Sequence, residues 1–167
     1  QSLSTSQIAA MSATQVASLS TTQIAGLSPA QIGAFSSPAV TGLTSSQIST
    51  LSLSQIAAMS TTQISALKAT QVAALTPDQI AGFTPTQIRG LTGNQIVAMP
   101  VDAIASFSGE QIAALSVRAI AGLTADQIGA MSMDQLDGLS TSQVGALSAA
   151  QIKAMPAELI DAMSPAK

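Results

Sequence analysis

The chain has 167 residues and a formal net charge of −3 at pH 7, and it is 47% hydrophobic but only 8% charged. It contains no Cys, His, Trp or Tyr, which excludes zinc and haem sites built on Cys or His, disulfide bonds, and catalysis by a Ser-His-Asp triad or a Cys-His pair. Five Lys and Arg residues against eight Asp and Glu residues are too few to coat a phosphate backbone, so we expect no nucleic-acid binding.

An eight-residue repeat starts at Leu3 and continues without insertion to Met163. Every eighth position of this series is Leu, Met or Phe, and the position five residues further on, first occupied by Ile8, is Ile, Val or Leu. Ser or Thr usually follows the large apolar residue and Gln usually precedes the Ile, so the octad reads L-S/T-x-x-Q-I/V-x-x. We interpret residues 1–167 as one continuous octapeptide array, expected to be a slice of a longer one.

Each octad predicts a very short α-helix that begins at its Ser or Thr residue. In the first octad Ser4 is the N-cap, and Gln7 can return a hydrogen bond to the Ser4 amide, which completes a capping box. Leu3 and Ile8 stand on either side of the cap, as in a hydrophobic staple. One unbroken helix is excluded because eight residues at ~100° each leave a drift of ~80° per repeat, and the alternation typical of a strand is absent.

Residues further along the chain agree with this register. The first helical position, where a missing N–H costs nothing, is Pro in three octads: Pro29, Pro77 and Pro85. The second helical position, beside the positive end of the helix dipole, holds six carboxylates: Asp78, Asp102, Glu110, Asp126, Asp134 and Glu158. Where Pro100 and Pro156 replace the hydroxyl residue, Gln is lost too, and Ala103 and Leu159 take its place.

The fold class that we predict is all-α, a miniature α-solenoid of about 20 very short helices, one per octad. Helices of about six or seven residues are too short to persist alone in water, so they must stack to be stable. We expect the Ile and Leu/Met/Phe positions to form a continuous core, and the Ser, Thr, Gln and charged residues to face outward. The sequence leaves open whether two, three or four helices complete a turn of the solenoid. No apolar run is long enough to span a membrane.

Charge is distributed unevenly, because no charged residue precedes Lys68. A neutral surface rich in Ser, Thr and Gln offers little electrostatic repulsion between copies. We therefore expect lateral or end-to-end self-association, or association with further repeats of the same chain. The alternative is that the low charge merely reflects duplication of one octad.

Two Ser-x-x-Lys pairs have the spacing found in penicillin-binding enzymes. They are Ser65 with Lys68 and Ser164 with Lys167. In the octad register Lys68 simply occupies an N-cap position, and neither an S-D-N nor a K-T-G motif accompanies the pairs. We therefore expect no catalytic residue here and no enzyme.

Two further groups of side chains have structural explanations. Asp126 and Asp134, with Asp137 nearby, could suggest a cation site, but the first two are equivalent helix-dipole positions and no D-x-D-x-D loop is present. The Met residues take the large apolar position, with Met133 as the exception, and are expected to pack in the core. We predict no metal site, no cofactor and no cofactor-binding residue.

The segment Leu75-Thr76-Pro77-Asp78-Gln79-Ile80 resembles the opening of the TAL effector DNA-binding repeat, L-T-P-x-Q-V. The resemblance covers six residues of a much longer repeat. The base-reading loop and basic helix stripe of that family are absent, so DNA recognition does not carry over.

Residues 3–163 as a whole resemble the octapeptide arrays, L-S/T-x-x-Q-I/V-x-x, of large secreted or surface-associated, adhesin-like bacterial proteins. This resemblance implies an extracellular or cell-surface location. We predict a non-catalytic structural segment, such as a stalk, a spacer or a filament-forming element. The alternative is a solenoid binding module for a peptide, a glycan or an ice surface.

Overall fold

The structure, a computed structural model, describes residues 3–157 and residue 160. Within them it contains 19 helices of four to six residues and no strand, which confirms the all-α solenoid with one helix per octad. The twentieth octad, which begins at Met155, is described only at residues 155–157 and 160. The helices are α1 (Thr5–Ala9), α2 (Ala13–Ala17), α3 (Thr21–Ala25), α4 (Pro29–Ala34), α5 (Ser37–Val40), α6 (Ser45–Ser49), α7 (Leu53–Ala57), α8 (Thr61–Ala66), α9 (Ala69–Val72), α10 (Pro77–Ala81), α11 (Pro85–Ile88), α12 (Gly93–Ala98), α13 (Val101–Ala105), α14 (Gly109–Ala114), α15 (Val117–Ala121), α16 (Ala125–Gly129), α17 (Met133–Asp137), α18 (Thr141–Val144) and α19 (Ala149–Ala154).

The predicted capping box starts nearly every helix. At α8 the Ser60 N–H donates to Gln63 Oε1 (2.7 Å), and the Gln63 N–H donates to Ser60 Oγ (3.2 Å). Ser60 itself is extended, with φ −72° and ψ 160°, as an N-cap requires. Nearly every helix therefore carries its own start signal, and each such cap contributes about 1 kcal/mol by analogy with measured caps.

Most of the described helices, with four or five residues, are shorter than the predicted six or seven. After each six-residue helix the large apolar residue is extended, and between α8 and α9 both Leu67 (φ −58°, ψ 137°) and the N-cap Lys68 (φ −68°, ψ 152°) are. The large apolar residue and the N-cap thus form the turn between these two helices and do not belong to either one. At most six residues of an octad remain helical.

Lys68 and Pro100 show why some octads keep the Gln and others lose it. Lys68 has no hydroxyl, but its backbone N–H still donates to Gln71 Oε1 (2.7 Å). Pro100 has no N–H to donate, and its octad carries Ala103 in the Gln position. The predicted dipole positions are also confirmed for the described carboxylates, as in α10, where Asp78 lies in the first turn, whereas Glu158 lies outside the described residues.

Between three and four helices complete one turn of the solenoid. Each helix packs against the third helix after it, so that α1 contacts α4 and α4 contacts α7. Gln47 in α6 reaches back 31 residues to the carbonyl of Val16 in α2 and 28 residues to the carbonyl of Leu19. The number that the sequence left open is therefore set by packing between turns.

A single apolar core runs along the solenoid, as predicted. The Ile position is inaccessible to solvent from Ile8 to Ile128, apart from 1% exposure at Ile56. From Phe35 onward, the buried residues at the large apolar position have a relative exposure of 2 to 5%. The residues at the Ile position and at the large apolar position belong to one hydrophobic cluster. Burial of these apolar side chains stabilises the fold by roughly 25 cal/mol per Å² of apolar surface removed from water.

The prediction that Gln faces outward is wrong for most of the chain. From Gln47 onward the Gln residues that the structure describes are buried, with 1 to 7% exposure. Gln63 shows the reason, because its Nε2 donates to the carbonyls of Ile32 (3.0 Å) and Phe35 (2.8 Å) in the preceding turn while its Oε1 accepts from its own N-cap. We call this repeated arrangement the glutamine ladder. A buried amide with all its bonds made costs little and joins one turn to the next.

Candidate functional site

The glutamine ladder is interrupted at three described octads, which carry Ala39, Ala103 and Ala119 in the Gln position. A ladder Gln such as Gln111 binds the carbonyl of the residue 28 positions before it, and the residue that stands in this relation to Ala119 is Leu91. The N-cap of the same octad is Ser116. The Leu91 carbonyl and the Ser116 backbone N–H have no hydrogen-bond partner among the described residues. A Gln side chain joins these two backbone groups in neighbouring octads, so this interruption leaves one donor and one acceptor free.

Leu91 and Ser116 both line a cavity of about 480 Å³, which we call the arginine cavity. Its lining also includes the segment between α11 and α12 and the first turns of α12 and α15. The full lining is Arg89, Gly90, Leu91, Thr92, Gly93, Asn94, Ser116 and Arg118. This volume falls within the range of small-molecule sites, about 300–1,000 Å³.

The solenoid brings the two arginines of the chain to this one cavity. Arg89 follows α11 directly, and Arg118 is the second residue of α15. Their separation along the chain equals that of Thr61 and Gly90, which meet across adjoining turns. Both arginine side chains are exposed, and the lining contains no acidic residue. Two cationic groups without an acidic neighbour in the cavity wall favour an anionic ligand.

Glycines hold α15 close to α12 beside the cavity. A Cβ atom on Gly122 would lie 2.7 Å from Gly93 Cα, and a Cβ on Gly93 would lie 3.2 Å from the Arg118 carbonyl oxygen. A side chain at position 122 would therefore push α15 away from α12, since protein interiors leave no spare room at such a contact. The missing side chains at Gly90 and Gly93 also leave the cavity wall partly made of backbone.

The predicted Ser-Lys pair has no special geometry. The Ser65 hydroxyl donates to the Thr62 carbonyl (3.0 Å), as an exposed Ser in a helix commonly does. Lys68 is exposed at the N-cap of α9, where its backbone N–H is bound by Gln71. The second pair, Ser164 and Lys167, lies outside the described residues.

Asp126 and Asp134 occupy the second position of α16 and α17, as predicted, and Asp137 is the last residue of α17. Within the part of the chain that the structure describes, no three Asp, Glu, His or Cys side chains lie close enough together to hold a metal ion. The Met residues at the large apolar position pack in the core or against it: Met11, Met59, Met99, Met131 and Met155. Met133 is 40% exposed, and Met163 lies outside the described residues.

The arginine cavity is not predicted by the sequence alone. The signals that point to it are the separation of Arg89 and Arg118 by about one solenoid turn and the Ala at position 119. Neither signal predicts a site until the number of residues in one solenoid turn is known, because octads that adjoin in space lie three or four repeats apart in sequence. The octad period alone cannot reveal such a site.

The fold defines a helical repeat array, and comparison with known families agrees. The ALTTAQ repeat family matches residues 1–29, 53–85 and 108–141, three stretches that together cover more than half of the chain. The chain belongs to the ALTTAQ repeat family. Neither a curated protein nor a solved structure gives a significant match.

The family match supports the tandem array that the octads predict, and each matched stretch is about as long as one step of the glutamine ladder. A secreted or adhesin-like setting is not part of what this match establishes. Among the described helices, none has the length and hydropathy needed to cross a bilayer.

Proposed function

We propose that this chain is a structural spacer: a stalk or filament-forming segment of a larger extracellular bacterial protein, without catalytic activity of its own. The glutamine ladder is the observation that carries the proposal. Each described rung, such as Gln87 Nε2 to the carbonyls of Ile56 (2.7 Å) and Met59 (2.8 Å), joins one turn to the turn before it. A structure joined in this way lengthens by a constant step with every turn that is added.

The division between buried and exposed positions also suits a spacer. In most interior octads Ile, the large apolar residue and Gln are all buried, so these three positions specify the fold. The first two positions of most helices are exposed, as Thr21 and Thr22 are in α3. Those positions can change without disturbing the core, which lets one scaffold carry different surfaces.

Self-association belongs to the same proposal. Residues 1–67 include no charged side chain, and their exposed positions are mainly Ser, Thr, Ala and Gln. Surfaces of this kind lack the net charge that keeps protein molecules apart in solution. Side-by-side contact between copies would thicken a stalk or build a filament, and it would depend only weakly on salt.

Small-angle X-ray scattering of the 167-residue chain and of a tandem duplicate tests the spacer proposal. We expect an elongated particle whose longest dimension roughly doubles in the duplicate while its cross-section stays constant, as nearest-neighbour stacking requires. A compact particle, or a duplicate that folds back to the original length, would refute the proposal.

Analytical ultracentrifugation at low and high ionic strength tests self-association separately. We expect oligomers at high protein concentration in both buffers, because the uncharged region contributes no Coulomb term for salt to screen. A matched variant with Thr22→Glu and Ser46→Glu adds two negative charges at exposed positions of a chain that is already negative, and it should remain monomeric at low salt. A sharp monomer for the unmodified chain in both buffers would contradict the filament-forming role.

A further inference from the structure

We propose that the arginine cavity is a binding site for a sugar that carries a phosphate or sulfate ester. This goes beyond the spacer function and does not depend on it. The proposal rests on three features of the same cavity: the two arginines in its lining, the backbone N–H of Ser116 that has no acceptor among the described residues, and a volume well above that of a bare anion.

The charge at the cavity is unusual for this chain. Arg89 and Arg118 are its only arginines, the net charge of the chain is negative, and the lining holds no carboxylate. A guanidinium presents two parallel N–H donors that match the oxygens of a phosphate or sulfate, which an ammonium group does not. Because both residues line the same cavity, an oxyanion bound there would lie beside two arginines.

Ser116 adds a backbone donor that most other N-caps lack. Its Oγ accepts from the Ala119 N–H (3.1 Å), so the hydroxyl proton is free to bind a ligand. Its backbone N–H has no acceptor among the described residues, whereas the corresponding N–H of Ser108 is taken by Gln111 Oε1 (2.7 Å). Thr92 is different, because both its hydroxyl and its N–H are bound by Gln95. Ser116 is therefore the neutral donor that completes the site.

The volume argues for more than an inorganic ion. A space of about 480 Å³ is of the size that accommodates small organic ligands rather than a single tetrahedral anion. Besides the arginines, the lining includes Asn94, whose side chain is an amide, Gly90 and Gly93, which offer only backbone, and Leu91, whose carbonyl has no hydrogen-bond partner among the described residues. Amides and carbonyls of this kind pair with hydroxyl groups, which are abundant on a sugar.

Isothermal titration calorimetry of the 167-residue chain at low salt tests the proposal with four probes: glucose 6-phosphate, glucose 6-sulfate, inorganic phosphate and glucose. We expect saturable one-to-one binding of at least one ester, weaker binding of inorganic phosphate, and none of glucose. The two ester arms identify which oxyanion the site prefers. Equal binding of glucose and of the esters, or no saturable binding of either ester, would overturn the proposal.

Single substitutions assign the site. Arg89→Gln and Arg118→Gln should each weaken ester binding roughly tenfold or more, the usual effect of losing a charged hydrogen bond. Lys153→Gln is the matched control, since it removes the same charge from an exposed position in α19 and should leave the affinity unchanged. If Lys153→Gln weakened binding as much as the arginine variants do, general charge attraction would explain the binding and the site would be rejected.

Ala119→Gln provides an independent arm. A Gln at this position would bind the Ser116 N–H and the Leu91 carbonyl as its counterparts do elsewhere, and so compete with a ligand for both groups. We expect weaker ester binding with an unchanged helical circular dichroism spectrum. A folded Ala119→Gln variant that binds with unchanged affinity would remove Ser116 from the proposed site. Scattering profiles are independent of these measurements, so failure here leaves the spacer proposal standing.

Discussion

The first turn of the solenoid and its interior turns are built from the same octad but are buried differently. In the first turn Gln23 Oε1 accepts from the Ser20 N–H (2.8 Å), much as Gln63 Oε1 accepts from the Ser60 N–H (2.7 Å) in the interior. Gln23 is nevertheless exposed, and among the described residues its Nε2 has no carbonyl partner, whereas Gln63 is buried and donates to the preceding turn. The cap is thus a local property of one octad.

The large apolar residues show the same contrast. Leu19 and Leu27 in the first turn are only partly buried, while Leu51 and Met59 are each 3% exposed. Helices of four to six residues have too little intrinsic stability to form alone, so the free energy that holds them must come from the adjoining turn. Burial is therefore a property of stacked turns. The following substitutions separate the stability that comes from the local caps from the stability that comes from packing between turns.

The largest effect is expected at the Ile position of an interior octad. Ile80→Ala removes a side chain with 0% exposure from the continuous core and should lower the free energy of unfolding by about 2–5 kcal/mol. Urea denaturation followed by helical circular dichroism measures the change. Ala81→Ser, at an exposed position of the same helix, is the control and should stay within about 0.5 kcal/mol. Equal effects of the two changes would contradict the core assignment.

A pair of glycines should respond to Ala with opposite signs. A Cβ on Gly42 would clash with the Ala13 carbonyl oxygen in another turn, so Gly42→Ala should destabilise by about 1–3 kcal/mol. Gly26 occupies the same octad position in the first turn, has a helical φ of −80°, and meets no atom of another turn. Gly26→Ala should therefore stabilise by about 0.4–1 kcal/mol through the unfolded state. Thermal unfolding midpoints of the two variants should move in opposite directions, and parallel shifts would refute the close approach.

Gln residues of the two regions separate the cap from the ladder. Gln79→Ala removes the donor of the Leu51 carbonyl (2.7 Å) and one of the donors of the Ile48 carbonyl (3.1 Å), which keeps the Leu51 N–H, and it should cost about 1–3 kcal/mol. Gln23→Ala removes only one half of a capping box and should cost less than about 1 kcal/mol, the range for a cap. Denaturant titrations of both variants give the difference. Similar costs would show that the ladder contributes no net stability.

The smallest effect is expected from an N-cap hydroxyl. Ser60→Ala removes the acceptor of the Gln63 N–H and should lower the free energy of unfolding by about 1 kcal/mol. Ser60→Thr keeps the hydroxyl and serves as the control. If the same urea titration found the Ala variant as stable as the unmodified chain, water would satisfy the Gln63 N–H as well as the hydroxyl does, and the cap assignment would carry no energetic weight.

Local features of this fold are predictable from the sequence, whereas features between turns are not. The cap at Ser60, the Pro77 start of α10 and the buried Ile80 all follow from one octad, because the groups involved lie within a few residues of each other. The burial of Gln79 does not follow, since its carbonyl partners are 28 and 31 residues away and a polar side chain is ordinarily assigned to the surface. The number of helices per turn cannot be predicted from the sequence for a similar reason. Every octad has the same apolar positions, and none of them indicates which octads adjoin in neighbouring turns.

The fractional number of octads per turn has a consequence for how such arrays change. Inserting or deleting a single octad would keep every cap, core position and local hydrogen bond, because each helix carries its own start signal. It would also rotate everything beyond that point by between a quarter and a third of a revolution, since three to four helices complete a turn. Pairs such as Arg89 and Arg118 would then no longer adjoin. Variation in repeat number therefore alters more than length, because it re-sorts which surface residues become neighbours.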